Sequence, residues 1–199
     1  MPSTTSRGGP GRRRADAERS IAAITAAARD CLLADPGAGM SAVARAAGVS
    51  RVTLYSHFPS REELLEAVVE HAVGETAALL ADQRLEDLPA DQALTTLARS
   101  SWQYLDRHLT LFSAVSTALP PDRMRARHAQ VLTPLHELLL RGQAEGTIRD
   151  DLPADWLVTV YYHLIHAAAA EAQAGRLSAD TVPDLLTATL LPAVRQPRT

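Results

Sequence analysis

The chain has 199 residues, 46% of them apolar and 4% aromatic, with a net charge of −3 and one cysteine, Cys31. That length suits one ordinary domain, or a small and a medium one, and the lone cysteine excludes an internal disulfide and any multi-cysteine zinc site. With no apolar run of about 18 residues and no apolar leader, no membrane partner is expected and the protein is expected to be cytoplasmic.

Ala and Leu dominate and β-branched runs are short, so helices are expected throughout. Residues 1 to 15 are Ser, Thr, Gly, Pro and Arg without apolar periodicity and read as a disordered basic arm. Arg12, Arg13 and Arg14 at its end suit either a minor groove or loose phosphate contact. A first helix is predicted from about Asp16 to Leu33, where Ile21, Ile24, Ala28, Cys31 and Leu32 recur at three and four. Asp35, Pro36 and Gly37 end it.

The stretch from Gly39 to Glu63 has the form of two short helices joined by a tight turn, with another helix starting just after. Val43, Ala44 and Ala47 make an apolar stripe, and Gly48 supplies a residue tolerant of positive φ where the first short helix must stop. Gly39 is a cap without a side chain, so the capping role is expected to pass to Ser41. Ser50 is a natural N-cap for a second short helix running to about His57. With Leu54 and Phe58 four apart facing inward, Val52 and Ser56 point away from the core, flanked by Thr53 and Tyr55, with Arg51 and His57 at the margins. A methyl-bearing residue, hydroxyls, an Arg and a phenol on one outward face suit a DNA major groove.

These residues, read as AxAAGVSxxTLYxHFxSREEL, resemble the helix-turn-helix signature of the TetR family of bacterial transcriptional regulators. The resemblance covers about residues 20 to 70 in detail and the rest by helical layout. It implies an all-α fold with an N-terminal three-helix DNA-binding domain at 16–62 and a C-terminal helical domain at 63–199 for effector binding and dimerisation. On that reading Arg51, Val52, Thr53 and Ser56 approach base edges, while Tyr55, His57, Arg61, Ser41 and Ser50 complete the DNA-contacting set. The charge agrees: residues 1–61 carry nine Arg against four acids, a balance of +5, and residues 62–199 eleven Arg against nineteen acids, a balance of −8.

Ser60, with Glu63 three residues on, predicts the start of a long fourth helix joining the two parts. Beyond Pro89, helices are predicted around Ala93 to Leu105 and Leu109 to Val115, then from about Asp122 to Ala144, ending at Gly146. Pro134 falls inside that last one, where an interior proline costs about 3 kcal/mol, so a bend or break is expected there. The resemblance implies the same helix bending around a ligand cavity. The last two helices, about Pro153 to Ala174 and Asp180 to Val194, are the most apolar. The run from Trp156 to Ile165 is apolar nearly all round and needs cover on both faces, which a twofold four-helix-bundle homodimer supplies. Trp156, Val160, His163, Ala167, Leu186 and Leu190 are the interface candidates. Trp102, His108, Phe112, Tyr161, Tyr162 and His166 are the pocket candidates, since they combine apolar area with orienting polar tips.

No Gly-rich phosphate loop or nucleophile elbow is present, so no enzyme is expected. Asp150 and Asp151 read as acids leading into the positive end of the following helix. Pairs such as His163 and His166, or His128 and His136, lack the spacing of a zinc helix motif, so neither metal nor cofactor is expected. The reading is a ligand-responsive repressor bound as a homodimer to a palindromic double-stranded operator. The alternative is a helical small-molecule-binding or scaffolding dimer without operator recognition.

Overall fold

The computed structural model describes residues 10–196, with side chains from Arg14 onward. Among the described residues there are ten α-helices and a 3-10 turn at Leu85–Asp87. The chain divides into two compact units, Met1–Val68 and Val69–Thr199. A single helix, α4 (Arg61–Ala81), runs through the division.

In the first unit, α1 (Pro10–Ala34) packs on α2 (Met40–Ala46), and α2 on α3 (Arg51–His57). The first helix begins six residues before the predicted Asp16, so residues 10–15 are helical rather than part of a disordered arm. Pro10 is suited to a first turn because its fixed φ is already helical and its missing N–H has no partner to lose. From Arg14 onward exposed pairs at helical spacing, Arg14 with Glu18 at 3.0 Å and Arg19 with Asp16, support the added turns. Residues 1–9 lie outside the described residues. The core of this unit is Ile24, Ala28, Leu32, Val43, Ala44, Leu54, Phe58, Leu64 and Leu65. Cys31 is half-buried and free. At the start of α4 the Ser60 hydroxyl accepts from the Glu63 N–H at 3.1 Å, the first half of a capping box.

The second unit packs α5 (Ala90–Arg107) against α8 (Ala129–Ala144), α9 (Ala154–Gln173) and α10 (Val182–Val194), and α6 (Leu109–Ala118) against α9. Trp102, Leu94, Leu135, Leu139, Ile148, Leu157, Leu186 and Leu190 form its centre. The helix expected over 122–144 is two helices, α7 (Pro121–Ala126) and α8. The break is at Arg127 and His128, not at Pro134. There the backbone N–H groups turn to carbonyls three residues back, Arg127 to Met124 at 3.2 Å and His128 to Arg125 at 3.0 Å. The His128 ring then fills the vacated position, its Nδ1 at 2.8 Å from the Met124 carbonyl. Pro134 stays inside a continuous α8. It offers no N–H to the carbonyl of Gln130, which is itself an exposed residue. Gly146 ends α8 at φ +71, with Gly146 N–H to the Gln143 carbonyl and Thr147 N–H to the Gly142 carbonyl, a Schellman closure.

An antiparallel bridge joins Ile148 to Arg195. Beside it Asp151 is chelated by the Arg149 guanidinium at 2.7 and 2.6 Å, which holds its carboxyl below the usual range. Asp151 thus serves Arg149 rather than the positive end of α9. Among the described residues no helix is long and apolar enough to cross a membrane.

Candidate nucleic-acid interface and ligand cavity

The turn between α2 and α3 is built by backbone closure. Gly48 takes φ +68 as the sequence requires, its N–H donates to Arg45 O at 3.2 Å, and Val49 N–H donates to Ala44 O at 3.0 Å. The chain then enters α3 through Ser50, whose hydroxyl accepts from the Thr53 N–H at 3.0 Å and lies 2.8 Å from the Thr53 hydroxyl. At the other end, Gly39 caps α2 with no side-chain bond, and Ser41 does not replace it. Ser41 is the second residue inside α2, already helical, and a cap must precede the helix.

Side-chain direction along α3 follows from 100° per residue. Leu54 is fully buried while Val52, two residues earlier, is 81% exposed. Arg51, Tyr55 and Ser56 are exposed with it, and Thr53 and His57 are half-buried. The Arg51 guanidinium lies 6.0 Å from the Tyr55 ring centre, and Ser56 donates to the Thr53 carbonyl at 2.7 Å, leaving its oxygen as an acceptor. Arg61 donates to the Pro36 carbonyl at 3.2 Å, so it ties the α1–α2 loop to the start of α4. An exposed β-branched residue beside an Arg, a Tyr and hydroxyls gives a face able to touch thymine methyls, guanine acceptors and phosphates.

In the second unit a cavity of about 120 Å³, partly open to solvent, is lined by α4, α5, α6, α7, α8 and α9. His108, Phe112, Tyr161, Tyr162 and His166 stand on its wall. Trp102 does not. It is 2% exposed in the core, its indole N–H donating to the Ala179 carbonyl at 3.1 Å, so its polar tip is already used. His128, Tyr104 and Met124 line the cavity without having been singled out for it. No sequence signal marked them: His108, His128 and His166 each turn Nδ1 to the carbonyl four residues back, Tyr104 at 2.9 Å, Met124 at 2.8 Å and Tyr162 at 2.8 Å, a partner that any helical residue has within reach. The Tyr162 and His166 rings are 4.1 Å apart, and His128 and His166 meet edge-on at 5.0 Å. Burial, together with mutual repulsion, pushes the His166 imidazole down to about 4, and burial lowers His128 as well. Tyr161 is pushed up by burial and donates to the Ser101 hydroxyl at 3.0 Å.

His163 is exposed, and His136 pairs with Asp155 at 3.3 Å, so the histidines do not converge as a group. Among the described residues no three His, Cys, Asp or Glu side chains gather to hold a metal ion. A second hollow, about 350 Å³, lies among α4, α5 and α8 and has neither imidazole nor aromatic side chains on its wall.

On the outer side of α9, Trp156 is 54% exposed and His163 and Ala167 are exposed, with Val160 partly so. Leu186 and Leu190 are instead 2% and 1% exposed, packed in the second unit's own core. The outward side of α10 is offset by one residue, at Leu185, Ala188 and Thr189.

The sequence model of bacterial regulatory proteins of the tetR family matches residues 24–68. The HTH-type transcriptional regulator NfxB of Pseudomonas aeruginosa is 30% identical over 176 residues, spanning 84% of this chain and 90% of its own length. The HTH-type transcriptional repressor LfrR of Mycolicibacterium smegmatis is 28% identical over 184 residues, 92% of this chain and 94% of its own. The crystal structure of LfrR in complex with proflavine matches with a TM-score of 0.60 at 25% identity, covering 87% of this chain and 94% of that one. The HTH-type transcriptional repressor NicS of Pseudomonas putida is 29% identical over 107 residues, half of each chain.

Proposed function

This chain belongs to the TetR family of bacterial transcriptional regulators, and from that premise we propose that it is a ligand-responsive repressor acting as a homodimer on a palindromic operator. In this proposal α3 enters the major groove, with Arg51, Val52, Thr53 and Ser56 at base edges. Tyr55, His57, Arg61 and Ser41 reach phosphates. Ser50 contributes chiefly by capping α3, since its hydroxyl is engaged with Thr53. The observation that carries the reading is the contrast along α3 between a fully buried Leu54 and an 81% exposed Val52. An isolated methyl-bearing side chain on a seven-residue helix gains nothing from water and fits a thymine methyl.

The cavity is proposed as the effector site, supported by its largely apolar wall and by the proflavine complex of the related LfrR. The helix α4 supplies Leu64 and Leu65 to the core of the first unit and Val69, Ala72 and Val73 to the cavity wall. A ligand that favours a form with wrongly spaced DNA-binding units draws the protein off DNA, and linkage requires DNA to weaken ligand binding by the same factor. The dimer is proposed to form through the outer face of α9 at Trp156, Val160, His163 and Ala167, with Leu185 of α10 in place of Leu186 and Leu190.

Nuclease protection of the DNA upstream of its own gene tests the proposal. Two equivalent protected blocks, centred about 34–36 Å or slightly more apart along the duplex, are expected. Absence of a protected block, or a single asymmetric one, refutes the dimeric operator reading.

A further inference from the structure

We infer that the cavity of the second unit takes an uncharged single-ring aromatic bearing a hydroxyl, a phenol, whose O–H donates to Nε2 of His128 or His166. The inference rests on the cavity's being the effector site.

The donor and acceptor pattern of the wall is fixed by the backbone. A carbonyl oxygen only accepts, so the Nδ1 atoms of His128 and His166, each 2.8 Å from one, must carry the ring hydrogen. A neutral imidazole in that tautomer has its lone pair on Nε2. Burial keeps both rings neutral, and a second charge would be repelled by the first at a ring separation of 5.0 Å. The two imidazoles therefore offer acceptors, which a ligand hydroxyl satisfies and an aliphatic or halogenated ring does not.

Charge on the ligand is disfavoured from both signs. No Asp, Glu, Lys or Arg stands on the wall, so a buried carboxylate or ammonium meets no counter-ion in direct contact. The nearby cation, Arg125, faces the Tyr162 ring at 5.0 Å and donates to the Thr159 hydroxyl at 3.3 Å, and is not part of the lining. The space inside suits one ring. An apolar cavity of roughly 150 Å³ encloses one benzene, and this one is about 120 Å³. Phe112, 5.4 Å from the His166 ring, and Tyr162 supply aromatic surface for that ring to lie against.

Calorimetric titration of the full-length protein with phenol, toluene and benzoate tests this directly. Phenol is expected to bind about tenfold more tightly than its shape-mimic toluene, and benzoate more weakly than either. In nitrogen-15 spectra His128 and His166, like His108, are expected to show protonated Nδ1, with the bare Nε2 of His128, of His166 or of both moving on phenol addition and neither on toluene. The double variant H128F/H166F keeps toluene binding and loses the preference for phenol. Toluene binding as well as phenol, benzoate binding best, failure of all three to bind, or Nε2 carrying the hydrogen in the free protein each overturn the inference. Should H128F/H166F not fold, the wild-type series and the nitrogen spectra decide alone. Adding phenol to the protein–operator complex separates the two readings: preferential phenol binding that leaves the complex intact upholds this chemistry and removes the ligand-responsive mechanism.

Discussion

At Ser50 one hydroxyl serves the fold before it can serve DNA. It accepts from Thr53 N–H and holds the Thr53 hydroxyl, so Ser50→Ala is expected to cost about 1 kcal/mol of stability, read as a fall in thermal midpoint. Arg51→Ala and Tyr55→Phe touch no core contact and are expected to leave that midpoint unchanged. Arg51→Ala is predicted to weaken operator binding by about 1–3 kcal/mol and to relax preference at one base position, as read in anisotropy titrations of single-base operator variants. His166 makes a different prediction, in pH. Its ring titrates near 4 in the folded chain, against 6.5 when unperturbed. Unfolding therefore takes up a proton between those values, so stability is complete above about 6.5 and declines by about 3 kcal/mol as pH falls to about 4. Urea midpoints across that window are expected to fall less steeply in H166F than in wild type. The outward face of α3 was legible in the sequence because α3 is short and its one buried side, Leu54 with Phe58, fixes every other direction. The exact use of each hydroxyl was not, since Ser50 fits both a cap and a phosphate contact.

Helices were legible wherever local chemistry decides them and illegible where a partner does. Gly48 and Gly146 announced their stops because both take positive φ, and Ser50 and Ser60 announced starts. The split between α7 and α8 was hidden because it depends on His128 exchanging a backbone bond for a ring bond to Met124, a choice that no periodicity records. Pro134, the more conspicuous signal, sits on an exposed face where its lost hydrogen bond is tolerated. Leu186 and Leu190 show the same limit: spacing of four marks a stripe on α10 but does not say which neighbour covers it, and their own core does. Close helix packing yields a firm prediction at Gly142. A methyl group there would stand 2.8 Å from the Ala90 Cβ and also strike Ile148, neither of which has a flexible end to move. Gly142→Ala is expected to destabilise by about 1–3 kcal/mol in chemical denaturation.

For the whole molecule, the charge division and the motif together made the two-part plan readable from sequence, with a basic N-terminal part and an acidic remainder. The cavity was only partly readable, because its wall is drawn from six helices and any aromatic on them competes for core or pocket. Trp102 went to the core and His128 to the wall. Assembly is predicted from the exposed α9 face: W156E combined with A167E is expected to shift sedimentation to a monomer and to weaken operator binding with it. An unchanged dimer would place the interface elsewhere. Above all of this stands the proposed reading of DNA sequence by α3. Fluorescence anisotropy of the full chain with its own upstream duplex and a scrambled duplex, at two salt concentrations, tests it most directly. A complex that prefers the upstream sequence and weakens as salt rises is expected. Equal affinity for both duplexes, or no complex at low salt, would contradict it.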